Sequence, residues 1–284
     1  MTPFELQQPA SLREALALLD PEDPGIRPMS GGTALMLMMK AGVLRPTRLV
    51  NLRKLGLDRI ELAAAGDLRV GSMVTLRKLE TSDVVRRGWP VIARTLRTLS
   101  NVRVRNVATV GGHLAHGDPH MDLPPLLSAL GARVTICGPK GERSLPVEQL
   151  YSGYLETTLR RDELITGLEV PPLGARRAAY LKCTTRSADD WPALGMAVVL
   201  GFEKDTVREA SIVLSAATDK PTRLAGAEKI LSGKAISDPV VKQAAESAGE
   251  VHIESDLHGS AAYKKQLIRV YLARAIHEAR QPGH

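Results

Sequence analysis

Two glycine pairs, each beside hydroxyl side chains, constrain the fold and chemistry of this chain more than any other feature. The first lies in Ser30-Gly31-Gly32-Thr33-Ala34, where an apolar run over 33–41 predicts a helix. The second lies in Thr109-Val110-Gly111-Gly112 and precedes a polar loop that contains histidines. Adjacent glycines let backbone N–H groups approach an anion, and a helix that begins there adds its positive end. The two loops could bind one diphosphate from both sides, or each could be only a tight turn.

The spacing of these glycines disfavours the commonest nucleotide-binding folds. The chain contains neither G-x-G-x-x-G nor G-x-x-x-x-G-K-[ST]. A Rossmann dinucleotide fold and a P-loop would each require one of these spacings.

The charge of +7 comes from basic residues that are scattered along the chain, and aromatic residues make up only 3% of it. This composition argues against nucleic-acid binding, which favours a basic stripe with interleaved aromatics. It fits an anionic ligand or an acidic partner subunit. No apolar run approaches the roughly 20 residues of a membrane span. The beginning of the chain lacks the basic and apolar regions of a secretory signal.

The two cysteines, Cys137 and Cys183, lie far apart and outside any C-x-x-C pair. Zinc-ribbon and iron–sulfur ligation by this chain are therefore not indicated. Both cysteines fall in apolar, strand-like runs and are expected in the core. A disulfide between them is possible, but a reducing cytoplasm fits this cysteine usage better.

Periodicity and turn residues divide the chain near residue 174. Asp122, followed by prolines at 124 and 125, predicts the N-cap of a helix over 123–130. The alternating segment 102–110 predicts a strand. Beyond 174, three consecutive antiparallel strands are expected before a group of helices, which indicates a separate α+β unit. The expected strands there are 178–186, 195–203 and 207–217.

Four motifs, in family order, resemble those of the FAD-binding subunits of molybdenum hydroxylases. SGGTAL at 30–35 resembles A-G-G-T-[DS]-L, and RNVATVGGHLAHGDPHMDLP at 105–124 resembles R-N-x-G-T-[IV]-G-G-N-[IL]-x-x-x-x-P-x-x-D-x-x-P. Tyr180, Lys182 and Arg186 match Y-x-K-x-x-x-R, and DLHGSAAYKKQL at 256–267 resembles D-x-x-G-S-A-x-Y-[RK]. This family includes the medium subunit of aerobic CO dehydrogenase and the central domain of xanthine dehydrogenase.

The resemblance implies an α+β chain whose first part has the FAD-binding fold of p-cresol methylhydroxylase and vanillyl-alcohol oxidase. That part would cover 1–174 as two α/β subdomains, about 1–56 and 57–174. A small α+β C-terminal domain, with a three-stranded antiparallel sheet plus helices, would cover 175–284 and resemble the C-terminal domain of the CO dehydrogenase flavoprotein.

The resemblance also implies a function within a complex. A large subunit would carry the molybdenum cofactor, a small subunit would carry two [2Fe-2S] clusters, and this chain would carry FAD and pass electrons to an external acceptor. The expected assembly is a dimer of heterotrimers in the cytoplasm. Two alternatives are a stand-alone FAD oxidoreductase of the same fold and a basic protein that binds an anionic partner without a redox cofactor.

The family's FAD contacts carry over to matching positions, and no catalytic side chain and no metal ligand is expected. Ser30, Gly31, Gly32, Thr33 and Ala34 match the first diphosphate loop, with Ala34 replacing the usual Asp or Ser. The second loop and the polar segment after it supply Thr109, Val110, Gly111, Gly112, His113 and His116.

Two departures from the family pattern lie in the second motif. His113 replaces the usual Asn, so a hydrogen bond from it to FAD would become pH-dependent. Ala108 replaces the usual Gly, which requires a negative φ at that residue.

The remaining matches lie toward the flavin ring, and each has a structural alternative. Asp122 matches an acidic residue that binds a ribityl or sugar hydroxyl, but it could instead cap its helix. Ile165 would supply an apolar ring contact, with Leu164 as the alternative register. Lys182 would lie near the isoalloxazine or be a surface lysine, and Trp191 would cover the ring or lie in the core.

A metal site formed by His113, His116 and His120 is disfavoured. Gly117 and Pro119 interrupt any helix that would align these histidines, and only Asp118 lies nearby as an acidic ligand.

Overall fold

The structure, a computed structural model, describes residues 2–281. Its strands are β1 (Glu5–Gln7), β2 (Ile26–Met29), β3 (Arg48–Asn51), β4 (Ile60–Leu62), β5 (Leu68–Gly71), β6 (Arg133–Gly138), β7 (Gly141–Pro146), β8 (Tyr151–Gly153), β9 (Glu156–Thr157), β10 (Leu164–Val170), β11 (Arg177–Cys183), β12 (Leu194–Glu203), β13 (Thr206–Ser215) and β14 (Thr222–Arg223).

The α-helices separate these strands into groups. They are α1 (Leu12–Ala17), α2 (Thr33–Lys40), α3 (Leu76–Thr81), α4 (Asp83–Gly88), α5 (Pro90–Thr98), α6 (Val102–Arg105), α7 (Val110–Ala115), α8 (Leu123–Ala129), α9 (Ala225–Leu231), α10 (Asp238–Ser247) and α11 (Ala261–Arg280). Short 3-10 helices span Leu52–Lys54, Val147–Leu150 and Ala248–Glu250.

The first part of the chain forms a small parallel sheet with strand order β1-β3-β2. Helix α1 connects β1 to β2, and α2 connects β2 to β3, since parallel neighbours need crossover connections. Ser11 caps the start of α1, since its Oγ accepts from Glu14 N at 3.2 Å. This arrangement places the first glycine pair between the end of β2 and the start of α2.

A second sheet, with order β4-β5-β10-β6-β7, has β10 at its centre. Strand β10 pairs antiparallel with both β5 and β6, and its register shifts between Ile165 and Gly167. The helices from α3 to α8 share one hydrophobic core with this sheet. That core fixes the second glycine pair at the start of α7.

The third sheet, β11-β12-β13-β14, is antiparallel and has four strands rather than the three predicted. The additional strand is only Thr222–Arg223, paired with Val213 and Leu214. A two-residue strand gives no alternating pattern to recognise, so the sequence could not indicate it.

Strand β12 is buried on both faces, which explains its unbroken apolar run. Ala197 and Val199 pack into the core of the second sheet. Met196 and Val198 pack into the core formed with α9, α10 and α11. The central strand of the third sheet therefore belongs to two cores at once.

The strand predicted over 102–110 is wrong. Residues Val102–Arg105 form helix α6, with Asn101 capping it by accepting from Val104 N at 3.1 Å. The apparent alternation is misleading because the valines at 102 and 107 are exposed, whereas Arg105 is buried. Only Thr109 makes an isolated β-bridge, to Thr75.

Candidate cofactor-binding site

A cavity of about 390 Å³ lies where the parallel sheet meets the helical segment. Its volume falls within the range of small-molecule sites. Both glycine loops line it, and they come from different parts of the chain. The predicted site residues found in its lining are Ser30, Gly31, Gly32, Thr33, Ala34, Thr109, Gly111, Gly112, His113, His116 and Ile165. Leu164, the alternative register to Ile165, lines it as well.

The first glycine loop presents open backbone donors. Gly32 has φ 75° and ψ 0°, the left-handed conformation, and is the N-cap of α2 without a side-chain capping bond. The first hydrogen bond of this helix runs from Met36 N to Gly32 O at 2.9 Å, and within residues 2–281 no protein acceptor takes the N–H groups of 31–35. These N–H groups and the positive end of α2 can therefore serve an anion.

Gly31 is required for a different reason, which is close approach between backbones. A Cβ at this position would clash with the carbonyl oxygen of Val107 and lie 2.9 Å from Ala108 Cα. The loop that follows β2 therefore packs directly against the segment leading into the second glycine pair. Ala108 is absent from the residues with positive φ, as its replacement of glycine requires.

The second glycine loop has largely satisfied its own donors. Val110 N donates to Val74 O at 2.9 Å, and Gly111 N donates to Ser72 O at 2.8 Å. Gly112 N donates to Thr109 Oγ1 at 3.2 Å. The two loops are thus not equivalent: the N–H groups of the first are free, whereas those of 110–112 in the second are bonded within the protein.

Side-chain contacts join the two loops. The hydroxyl groups of Ser30 and Thr109 form a short hydrogen bond, and Ser30 Oγ also lies 3.1 Å from Met73 Sδ. A Cβ at Gly112 would lie 3.2 Å from Ser30 Cβ, so this glycine keeps the loops in contact. Ser30 and Thr109 thereby fix the spacing of the two sides of the cavity.

Buried polar atoms without protein partners belong to residues that line the same cavity. Arg27 Nε, Ser72 Oγ and His113 Nε2 have no hydrogen-bond partner among the described residues, and all three side chains belong to the cavity lining. Buried polar atoms are normally paired, so these three indicate that a polar ligand belongs here. Arg27 Nε can only donate, whereas Ser72 Oγ and His113 Nε2 can donate or accept. Neither Arg27 nor Ser72 was predicted as a site residue from the sequence. The signal that the sequence offered for Arg27 was a basic residue on the strand directly before the first loop.

The histidines of the second loop are held neutral. Burial lowers the pKa of His113 to about 3, with His116 adding to the effect. Burial also lowers the pKa of His116. The pH dependence predicted for a contact from His113 would therefore lie well below neutral pH.

Val110 does not line the cavity. It is 1% exposed and packs into the main core. Its backbone position at the start of α7, rather than its side chain, supports the second loop.

Asp122 is not the side-chain cap of its helix. Its backbone is already helical, with φ −78° and ψ −36°, and it makes no capping bond. Instead Oδ1 accepts from Tyr180 Oη at 2.7 Å and Oδ2 accepts from Lys182 Nζ at 3.1 Å. Burial raises the pKa of Asp122, an effect that Lys182 and Tyr180 partly offset.

Lys182 is not a surface lysine, since its side chain is only 7% exposed. Besides Asp122, its Nζ donates to Thr98 O at 2.7 Å and Asp190 O at 3.3 Å. Asp122 and Lys182 therefore form one buried group that ties β11 to the helical segment. Neither residue lines the cavity itself.

Trp191 is not a core residue, since it is 48% exposed. Its ring stacks on His120, with centroids 5.4 Å apart and an interplanar angle of 27°. It too lies outside the cavity lining.

His120 connects the two parts of the chain. Its Nδ1 lies 2.9 Å from Asp118 Oδ1 and its Nε2 lies 3.0 Å from Asp256 Oδ2. Asp256 also accepts from the fully buried Lys264 at 2.6 Å, and Lys264 donates to Ala216 O at 2.8 Å. Burial lowers the pKa of His120, but the hydrogen bonds to Asp118 and Asp256 outweigh it and leave the pKa raised.

Across residues 2–281, no group of three or more His, Cys, Asp or Glu side chains could hold a metal ion. Cys183 is buried, Cys137 is partly exposed, and both are free thiols. No described helix has the length and apolar character needed to cross a membrane.

Two family profiles match the chain. The FAD binding domain in molybdopterin dehydrogenase matches residues 2–173, and the CO dehydrogenase flavoprotein C-terminal domain matches residues 179–279. Among relatives, the carbon monoxide dehydrogenase medium chain of Afipia carboxidovorans is 32% identical, covering 98% of this chain and 96% of its own. The nicotine 6-hydroxylase medium subunit of Paenarthrobacter nicotinovorans is 32% identical, covering 95% of each chain.

Solved structures have the same fold. A chain of carbon monoxide dehydrogenase from Hydrogenophaga pseudoflava superposes with a TM-score of 0.94 at 31% identity, covering 98% of each chain. A chain of quinoline 2-oxidoreductase from Pseudomonas putida 86 superposes with a TM-score of 0.92 at 30% identity, covering 98% of this chain and 97% of the other.

Proposed function

Because the chain belongs to the family of FAD-binding subunits of molybdenum hydroxylases, we propose that it is the flavin-carrying electron-transfer subunit of a multi-subunit oxidoreductase. In this proposal it accepts electrons from the [2Fe-2S] clusters of a small partner subunit and delivers them to an external acceptor. A large partner subunit with the molybdenum cofactor oxidises the substrate. The assembly is a dimer of heterotrimers and works in the cytoplasm.

The family resemblance of the four motifs is confirmed by the matches over residues 2–173 and 179–279. The same comparisons confirm the FAD-binding fold and the additional C-terminal domain. They also confirm FAD as the cofactor of this type of chain and membership of an oxidoreductase family. The proposal concerns the path of electrons, the partners and the individual residues.

One observation carries the proposal for the site: free hydrogen-bond donors line a cavity between the two glycine loops. The N–H groups of 31–35 are open, and the unpartnered atoms of Arg27, Ser72 and His113 belong to residues of the same cavity lining. Phosphate oxygens satisfy several donors at once without needing an acceptor from the protein. The residues present therefore fit the diphosphate of FAD.

In this assignment the loop 30–34 and the unpartnered donors bind the diphosphate. Thr109, Gly111, Gly112 and His116 form the opposite wall. The flavin ring lies toward Ile165, Asp122, Lys182 and Trp191, as the family resemblance implies. Trp191 is available to cover a ring because its side chain is half exposed and lies on the surface beside His120.

FAD supplies the redox chemistry when bound, and the protein positions it and tunes its potential. Lys182 contributes a positive charge whose position is fixed by Asp122, Thr98 O and Asp190 O. No side chain is assigned as a general acid or base.

The test is purification of the native complex with its cofactors intact. We expect a flavin absorption band near about 450 nm, about one FAD per copy of this chain, and molybdenum and iron in the co-purifying subunits. The substrate-reduced complex should regain its absorption when an electron acceptor is added.

Two outcomes would contradict this function. A complex with molybdenum and iron but no flavin would remove the electron-transfer role from this chain. A chain that purifies alone with FAD and oxidises or reduces a substrate without partners would instead establish a stand-alone flavoenzyme.

A further inference from the structure

A diphosphate in the cavity carries negative charge that backbone N–H groups do not neutralise, because each donates only a partial charge. We propose that Arg27 is the fixed cation that pairs with the diphosphate of FAD. This inference rests on the proposed function, since it assigns a residue toward that cofactor.

Arg27 lies on β2, three residues before the first glycine loop. Its Nε is buried and unpartnered, and its side chain makes no hydrogen bond or ion pair with the rest of residues 2–281. A guanidinium is strongly solvated, so leaving its Nε buried and unpaired costs free energy. A phosphate oxygen in the adjoining cavity would offset that cost, and guanidinium binds phosphate through parallel hydrogen bonds.

The other titratable groups of the lining do not replace this charge. Among the described residues of the lining, Arg27 is the only lysine or arginine. The pKa values of His113 and His116 are lowered by burial, so both rings are neutral at neutral pH. Lys182 lies outside the lining and is paired with Asp122.

The lining also contains one carboxylate, and its charge is already compensated. Glu163 pairs with Arg143 at 2.8 Å and with Arg160 at 3.1 Å. Arg27 is therefore the charge in the lining that has no protein counterpart. The second loop adds little to the balance, because the N–H groups of Val110 and Gly111 are bonded to Val74 and Ser72.

The matched control is Arg48 on the neighbouring strand β3. Residue 27 pairs with Leu49 and residue 26 pairs with Arg48, so both arginines belong to the same parallel sheet. Arg48 lies outside the cavity lining and is paired with Glu5 at 2.7 Å on the surface. Arg48→Gln removes a positive charge from the same sheet without changing the cavity.

The experiment measures FAD dissociation from the purified complex for wild type, Arg27→Gln, Arg27→Lys and Arg48→Gln, at low and high salt. We expect Arg27→Gln to raise the dissociation constant about 10- to 100-fold and to flatten its salt dependence, since it removes a charged hydrogen-bonding partner. Arg27→Lys should recover part of the affinity and most of the salt dependence. Arg48→Gln should behave as wild type.

The outcomes separate this inference from the proposed function. If wild type binds FAD and Arg27→Gln binds it with the same affinity and salt slope, the inference about Arg27 is overturned and the proposed function is not. A loss of affinity in Arg27→Gln with an unchanged salt slope also overturns it, because Arg27 would then contact the adenine or pack the wall. Wild type that binds no FAD overturns both. Thermal unfolding shows whether Arg27→Gln is folded, and Arg27→Lys keeps the test decisive if it is not.

Discussion

Gly31 shows at the scale of one residue how closely the two loop segments pack against each other. Its backbone lies against Val107 and Ala108, so a methyl group there has no space and the flanking backbone cannot yield cheaply. The same is true of Gly111, where a Cβ would lie 2.6 Å from Ser72 Cβ. These two glycines let the segments on either side of the cavity pack closely.

We therefore expect Gly31→Ala to weaken FAD binding at least about tenfold, the factor that about 1.4 kcal/mol of misfit produces. Flavin content and the FAD dissociation constant of the purified complex measure this. The control is Gly88→Ala, since a Cβ at Gly88 meets nothing within 4 Å and the residue lies in helix α4. If Gly31→Ala retains wild-type affinity, the close approach of the two loops does not shape the binding site.

Single residues also show what the sequence could and could not predict. The glycines and hydroxyls of the two loops were recognisable because their motifs are local in sequence. The unpartnered state of Arg27, Ser72 and His113 was not, because it depends on which groups meet across the cavity. The capping role predicted for Asp122 is wrong for the same reason: Tyr180 and Lys182, far along the chain, take its carboxylate.

At the scale of elements, His120 and the motif beginning at Asp256 form a bridge between the first and last parts of the chain. The carboxylates of Asp118 and Asp256 face the ring nitrogens of His120. Trp191 stacks on this ring, and the ring of His258 lies 5.2 Å away at a tilt of 51°. Lys264 reaches the bridge only through Asp256. The protonated ring satisfies both carboxylates, so it stabilises the folded chain more than the neutral ring does.

This bridge predicts a pH dependence of stability with a definite sign. The pKa of His120 is raised in the folded state, so its contribution is full below the unfolded value of about 6.5 and is lost as pH rises through the folded pKa. We expect the free energy of unfolding of wild type to fall relative to that of His120→Gln between pH 6 and pH 9. Denaturant unfolding of both proteins across this range measures the difference.

The comparison with His120→Gln is needed because other histidines act in the opposite direction. The lowered pKa values of His113 and His116 favour the folded state at higher pH, and wild type and His120→Gln both retain these two histidines. The lowered pKa of Asp256 affects stability only at acidic pH, where the carboxylate gains its proton. Parallel profiles for wild type and His120→Gln would show that the bridge carries no protonation-linked stability.

Elements differ in how well their patterns predicted them. The apolar runs of β12 and β13 were long enough to be recognised as strands. The segment 102–110 was assigned wrongly because a single turn of helix gives too few residues to distinguish a period of 3.6 from alternation. Its capping residue, Asn101, was the available signal for a helix.

At the scale of the whole molecule, β12 joins two hydrophobic cores. Val199 lies in the core of the FAD-binding part and Val198 lies in the core with the C-terminal helices, and both are at most 1% exposed. The sequence indicated a buried strand here but not the sharing of its two faces, which depends on how the third sheet packs on the rest. Because the cores share a strand, loss of one should expose the other.

We therefore expect the described chain to unfold as one cooperative unit, and Val198→Ala and Val199→Ala to lower its stability by similar amounts, about 2 kcal/mol each. Differential scanning calorimetry should show one transition that shifts in both variants. Val270→Ala is the control, since Val270 is 45% exposed on α11 and its truncation removes little buried area. A strand that belongs to both cores cannot unfold with one core and remain folded with the other. Two separate transitions, with each variant shifting only one of them, would therefore contradict this prediction and show that the two cores are independent.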